Sequence, residues 1–245
     1  MNMPYTLIQA DEARLGLIVL QTDESLERDL RQLIPASVNL LVSRVPSGDE
    51  VSEETLGQMA QNLPASAALL PQMQRYAAIG YGCTSGAAVI GPDRVAALVG
   101  GAAPTDHVTN PLTALLAACA RLQITRLGIL SPYTVEVSDR LRRVLSENGI
   151  DTPVFGSFNE AREERVVRIS PQSIFSACET LAPRGGIDAL FLSCTNLRTL
   201  DLIEELEART GLPVLSSNQV IAWHMLRLAG MTDAMPGFGR LFRDH

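Results

Sequence analysis

The chain repeats itself. RLGLIVLQ at residues 14–21 returns as RLGILSPY at residues 126–133, and IGYGCTS at residues 79–85 returns as LFLSCTN at residues 190–196. The offset is nearly constant, so Cys83 aligns with Cys194, Thr84 with Thr195, and Leu30-Arg31 with Leu141-Arg142. Self-similarity on this scale confines the chain to two copies of one supersecondary unit, each burying its own apolar face. The plainer alternative is two unrelated units that share strand composition.

Short β-branched runs alternate with longer stretches at helical period, which predicts an α/β fold built on parallel sheets. The predicted strands are 14–20, 38–44, 77–81, 126–130, 152–155, 189–192 and 213–215. The predicted helices are 25–33, 52–62, 111–122, 135–147, 171–181, 199–209 and 218–229. Pro111 and Pro171 suit first helical turns, and Ser52 with Thr55 forms a weak cap. Two doubly wound halves would bring both cysteines to carboxyl ends of strands, where ligands of such sheets bind. Facing each other about a pseudo-twofold, the halves would set the two thiols on opposite walls of one cleft.

Composition narrows the chemistry. All 20 basic residues are arginine, which excludes lysine Schiff bases and the lysine of a phosphate-binding loop. A net charge of −7 argues against nucleic acid as a partner. No apolar run has the length of a membrane span, and MNMPYTLIQADEARLG has neither the basic nor the apolar region of a secretory leader. Four reduced cysteines in the cytoplasm are the expectation. His107, His224 and His245 are the only histidines. With no CxxC pair and no HxxxH spacing, no metal site is expected.

Cys83 and Cys194 each end an apolar strand and open a small, polar turn, Gly82-Cys83-Thr84-Ser85-Gly86 and Ser193-Cys194-Thr195-Asn196. Backbone N–H groups of Thr84, Ser85, Thr195 and Asn196 at such turns would hold a carboxylate, stabilise developing negative charge and draw each thiol toward thiolate. Either cysteine alone reads better as a small buried hydrophobe, but the repeated pair favours chemistry. Cys119 and Cys178 lie within helical patterns and read as packing. A tyrosine-phosphatase loop is excluded because Val89 and Leu200 stand where its arginine belongs. The glycines at 80, 82 and 86 miss the dinucleotide spacing by one residue.

GYGCTSG and LSCTN, with SPYTVEV and SFNE between them, resemble the aspartate/glutamate racemase superfamily, in its maleate isomerase and arylmalonate decarboxylase branch. LIVLQTDESLERDL and RVPSGDE are most similar to racemase-like proteins of ectoine utilisation. The resemblance covers nearly the whole chain. It implies cofactor-independent chemistry on a small carboxylate between two pseudo-symmetric α/β domains, 1–118 and 119–217, with the C-terminal stretch 218–245 returning to the first.

It further implies Cys83 and Cys194 as the two catalytic thiols. Thr84, Ser85 and Tyr133 match positions that bind a substrate carboxylate, and Asn159 matches an asparagine on a second carboxylate. The decarboxylases keep only the second thiol, so Cys83 argues against decarboxylation. One position departs. Where maleate isomerases read P-S-S-N, this chain reads Leu20-Gln21-Thr22-Asp23.

An aspartate facing a carboxylate repels it, whereas facing an ammonium it forms a charge-assisted hydrogen bond. The expected substrate is therefore an amino acid or a derivative of one. The ordinary duty for Asp23 is to cap the helix that follows. The leading reading is a racemase or epimerase in which one thiolate removes the α-proton and the opposite thiol returns one, with Tyr133 and the turn amides, including those of Thr195 and Asn196, holding the enediolate. Two rivals stand beside it: a cis–trans isomerase in which Cys83 adds to a double bond, and a ligand-binding protein of a catabolic operon without turnover. Arg44 and the histidines read as structural, the tail 231–245 as the least ordered part apart from its phenylalanines, and a homo-oligomer is left open.

Overall fold

The structure, a computed structural model, describes residues 1–7 and 12–245. Residues 8–11, inside the segment tested above for a leader, lie outside the described residues. In the first half β1 (Arg14–Leu20), α1 (Leu26–Leu33), β2 (Asn39–Val45), α2 (Glu53–Ala68), β3 (Tyr76–Gly82), α3 (Thr84–Ile90), α4 (Pro92–Gly100) and β4 (Thr105–Thr109) follow in order, and α5 (Pro111–Leu122) closes it. The second half runs β5 (Arg126–Ser131), α6 (Val135–Glu147), β6 (Asp151–Ser157), α7 (Glu163–Val166), α8 (Pro171–Leu181), β7 (Ala189–Leu192), α9 (Ile203–Thr210) and β8 (Val214–Ser216). Two further helices, α10 (Ser217–Leu228) and α11 (Gly239–Asp244), complete the chain.

The sheets repeat as the sequence does. The first has the order β2-β1-β3-β4 and the second β6-β5-β7-β8, and every ladder is parallel. Strands β1, β3, β5 and β7 sit inside their sheets and are buried on both faces, which is why they read as continuous apolar runs. In each sheet the order reverses beside the first strand, and the strand ending just before a cysteine is its neighbour there. Both cysteines thus lie at the carboxyl edge, next to a topological switch point.

Three local features differ from the expectation. Helix α2 passes through Pro64 to Ala68, where a proline without an N–H had suggested a stop near residue 62. Strand β4, TDHVT, was not anticipated. It is an edge strand whose exposed Asp106 and His107 hide the apolar signal. The tail is also packed, since Leu241 and Phe242 are buried and α11 lies against β8 and α9 of the second half.

Helix α10 leaves β8 and packs on α5, α1 and β3 of the first half. Its Asn218 donates to Asp29 Oδ2 at 2.7 Å, and burial, opposed by that bond and by Arg28, pushes the Asp29 carboxyl up to about 6. The unfolded carboxyl titrates near 3.9, so between the two values the native state holds more protons and stability falls as pH rises. Asp29→Asn is therefore expected to raise stability at pH 7 by about 1–3 kcal/mol. Below about pH 4 the gain vanishes, because both states are then protonated. Urea denaturation of the two proteins at both pH values checks it.

Candidate functional site

The two cysteine turns interlock. The Thr195 hydroxyl donates to the carbonyl of Gly82 at 3.2 Å. Ser217, the first residue of α10, accepts the Cys194 N–H at 3.0 Å and pairs with the Thr84 hydroxyl at 2.8 Å. One serine therefore ties the first half's thiol segment to the second's. Cys83 is 5% exposed and Cys194 3%, and neither forms a disulfide.

Cys83 turns directly from its strand into a helix. It is the N-cap of α3, and its sulfur accepts the Gly86 N–H at 3.1 Å. Gly86 is required there, because a Cβ at this position would lie 2.9 Å from that sulfur and 2.5 Å from the Tyr81 oxygen. The first-turn N–H groups of Thr84 and Ser85 have no role in the helical ladder. Cys194 has a φ of +108°, a region sparsely populated by residues with a side chain and costing of order 1–3 kcal/mol. Its sulfur accepts the Asn196 N–H at 3.3 Å and meets the Tyr133 hydroxyl at 2.9 Å.

Glu163, at the start of α7, was not singled out by the sequence and is buried at the centre of the cluster, 3% exposed. Tyr133 donates to its Oε1 at 2.6 Å and Asn196 Nδ2 to its Oε2 at 2.8 Å. Asn196 Oδ1 in turn accepts the Glu24 N–H at 2.9 Å, so this side chain links the halves. The carboxylates of Glu163 and Asp23 each push both thiols upward.

Asp23 holds the start of α1 from two residues ahead of its N-cap, Ser25, its Oδ1 accepting the N–H groups of Ser25 and Leu26 at 2.8 Å each. Its other oxygen, Oδ2, is buried and makes no hydrogen bond among the described residues. Burial raises the Asp23 carboxyl against the pull of those amides and of Arg44. Arg44 clamps the turn from outside, donating to the carbonyls of Leu20 and Asp23 at 3.0 Å each and to Glu27 at 3.1 Å.

Two expectations are corrected. The thiols are not drawn toward thiolate: burial pushes Cys83 up to about 12 and Cys194 well above its ordinary value, and the single backbone N–H at each sulfur does not offset it. Desolvation of an anion outweighs one neutral hydrogen bond. Asn159 is not gathered into the cluster. It is exposed, in a left-handed turn with φ of +54°, and the buried side chain that its loop supplies is Glu163, four residues on. Of the other expected residues, Thr84, Ser85, Tyr133, Thr195 and Asn196 are all buried around the thiols. Cys119 and Cys178 are fully buried in α5 and α8.

A strap closes the space. Val51 donates to the carbonyl of Ala161 at 3.0 Å and Glu163 to that of Asp49 at 3.2 Å, with a β-bridge between Glu50 and Arg162. The strap's Asp49, Arg162 and Glu163, with Thr22, Glu24 and Glu164, line a cavity of about 200 Å³. Among the described residues no cluster of His, Cys, Asp and Glu has metal-site geometry, and no helix is long and apolar enough to cross a membrane.

A family model described as arylmalonate decarboxylase matches residues 56–242. The arylmalonate decarboxylase of Bordetella bronchiseptica is 33% identical over 138 residues, 56% of this chain and 58% of that protein. The maleate isomerase of Nocardia farcinica is 24% identical over 251 residues, covering 94% and 96%. Among solved structures, a liganded glycine-to-cysteine, cysteine-to-serine double variant of arylmalonate decarboxylase shares 27% identity with a TM-score of 0.83, covering 95% of this chain and all of that one. The Nocardia farcinica maleate cis-trans isomerase bound to TRIS has a TM-score of 0.82 at 24% identity, covering 95% and 98%.

Proposed function

Because this chain belongs to the arylmalonate decarboxylase family, we propose that it is a cofactor-independent isomerase of a small carboxylate, with Cys83 and Cys194 acting on opposite faces of one substrate. The observation that carries the reading is the sharing of Ser217 by Thr84 and the Cys194 amide, which holds both thiol segments at one point. In the racemase form, a thiolate takes the α-proton and the bonding pair moves into the carboxylate to give an enediolate. The opposite thiol then protonates the other face. The free first-turn amides of Thr84 and Ser85 supply donors for the developing charge.

The high thiol values bear on this step. A buried thiol becomes a usable base only when a ligand brings compensating positive charge or the strap opens to water. An amino acid does the former: its ammonium would meet the unpartnered Asp23 Oδ2, and its carboxylate the α3 amides. A simple diacid brings two more anions to a space that already holds Asp23 and Glu163. We therefore propose an amino acid or a derivative of one as substrate. Ectoine catabolism in the cytoplasm is the proposed context, on the likeness of the β1–α1 and RVPSGDE segments.

A maleate-type cis–trans isomerase is the second reading, favoured by the Nocardia farcinica relative. A solved cysteine-to-serine variant of that enzyme carries a covalently bound succinylcysteine intermediate. Decarboxylation is disfavoured by the presence of Cys83. Incubation of the purified protein in deuterated water with a panel of small amino acids and unsaturated diacids separates these. Deuterium at the α-carbon of an amino acid supports the first reading. Isomerised diacid and a mass increment on Cys83 without α-exchange overturn it in favour of the second.

A further inference from the structure

The thiols are surrounded by more negative charge than a single ammonium answers. Asp23 and Glu163 are 4% and 3% exposed, and the charge of each acts on both sulfurs. An ionised carboxylate offers about four acceptor positions. Asp23 uses two, both on Oδ1, and its Oδ2 makes no hydrogen bond among the described residues. The Glu163 carboxylate accepts once at each oxygen, from Tyr133 and from Asn196, and keeps capacity at both. The arginines of the neighbouring segments are committed elsewhere: Arg44 pairs with Glu27 at 3.1 Å, Arg162 with Glu164 at 2.7 Å and Arg165 with Glu160 at 3.3 Å.

Glu163 also belongs to a second space. Through Tyr133 it reaches Cys194, whose sulfur lies 2.9 Å from the tyrosine hydroxyl. It lines as well the cavity of about 200 Å³ at the strap, together with Glu24, Asp49 and Glu164 and against one guanidinium, Arg162. A short side chain that leaves a reacting carbon at the thiols and runs past Glu163 would carry its end into this acidic cavity. Carboxylates held out of water need a counter-charge or a proton, and a cationic end supplies the first.

We propose that the substrate is a diamino acid, one carboxylate carrying two cationic nitrogens, with its α-ammonium on Asp23 and its distal nitrogen on Glu163 in the acidic cavity. The proposal rests on the reading that both thiols serve one small carboxylate, and it narrows that reading to one class. The single carboxylate takes the free first-turn amides of Thr84 and Ser85, and two cations then answer two buried acids. An amino acid with a neutral side chain leaves Glu163 without a counter-charge, and an acidic one adds a third anion beside it. Glu163 in this role sets specificity by holding the far end of the substrate, and it takes no part in the bond changes at the α-carbon.

Calorimetric titration at pH 7 and low salt tests this without turnover. Because the span from the thiols to the cavity sets the length required, the probes are 2,4-diaminobutyrate, ornithine and lysine. Each is compared with the acid of the same shape that ends in a methyl group: norvaline, norleucine and 2-aminoheptanoate. Glutamate is the acidic member. At least one diamino acid is expected to bind roughly 10–100-fold more tightly than its methyl-ended counterpart, as a hydrogen bond to a charged group allows, and glutamate to bind most weakly. Glu163→Gln is expected to erase that preference and leave the methyl-ended acids where they were. Glu163→Asp, which keeps the charge, retains a preference for the diamino acid. Equal affinity within all three pairs of the wild type overturns the proposal without any variant, and so does a preference that survives undiminished in Glu163→Gln. Solvent exchange of the α-hydrogen, followed on the same compounds, keeps the functional reading separate. Exchange without a preference for the second nitrogen leaves that reading standing and removes the proposal. A preference that depends on Glu163, with no exchange, does the reverse. Absence of binding across the series overturns both.

Discussion

Cys83→Ser and Cys194→Ser are each expected to abolish net interconversion while preserving one half of the reaction. A positioned acid or base contributes roughly 10²–10⁴-fold to proton transfer, and a serine hydroxyl in the same place is far too weak an acid–base group to replace a thiol. Each variant keeps the opposite sulfur, so solvent deuterium is expected to enter the α-position of one enantiomer only, and of the other enantiomer in the other variant. Net racemisation falls by roughly 10³-fold or more in both. Exchange with either hand that persists undiminished in both variants would remove the thiols from the mechanism. The double variant supplies the baseline. The substitutions are conservative for the fold: both sites are small buried side chains, the Cys194 amide keeps its bond to Ser217, and in Cys83→Ser the serine oxygen takes the place of the sulfur that accepts the Gly86 N–H.

Asp23→Asn carries the second large effect, and the cap geometry makes it a clean substitution. Asparagine caps a helix about as well as aspartate, so the bonds from Ser25 and Leu26 persist and α1 keeps its start. What changes is the charge on the partnerless oxygen. A hydrogen bond to a charged group is worth about 1.5–3 kcal/mol. The variant is therefore expected to lose roughly 10–100-fold in kcat/KM for an amino acid and to gain in affinity for a simple diacid. Competition assays with matched pairs of amino acids and diacids read the ratio directly. An unchanged preference would confine Asp23 to its capping duty.

The acidity of the site sets this chain's problem apart from generic carboxylate binding. Asp23 and Glu163 are both buried and both raised by burial, and the Asp23 charge pushes Glu163 up further. Arg44, whose charge acts on Asp23, spends its donors on the carbonyls of the β1–α1 turn and on Glu27. A ligand with a cationic group relieves this accumulation of negative charge, and a dianion worsens it.

Much of this architecture was legible because strand ends and repeats leave local marks. The bounds of β1, β7, α5, α6 and α8 follow from apolar runs and from prolines at first turns. The paired cysteine motifs located both walls of the site. What stayed hidden depends on closure in space. Residues 84–100 hold two short helices in a stretch punctuated by glycines, which reads as turn. Glu163 stands among Glu160, Arg162, Glu164 and Arg165, a run that looks like a solvated face. Only its spacing from the buried Val166 marks the side of α7 that turns inward. Asn159 drew attention because SFNE matches a motif, yet the chain turns outward there and delivers its buried side chain four residues later. The thiol acidity was misjudged for a related reason. Donors near a sulfur can be guessed from a turn, but the depth of burial and the acids contributed by other elements cannot.

The central claim is that one small acid binds with its reacting carbon between Cys83 and Cys194. A crystal structure of Cys83→Ser soaked with an amino acid that exchanges its α-hydrogen tests it most directly. The account predicts the α-carbon about 3–3.5 Å from the Cys194 sulfur, the serine oxygen on its opposite face, and the ammonium on Asp23 Oδ2. An acid seated elsewhere, or side chains 83 and 194 opening into separate crevices, would contradict it.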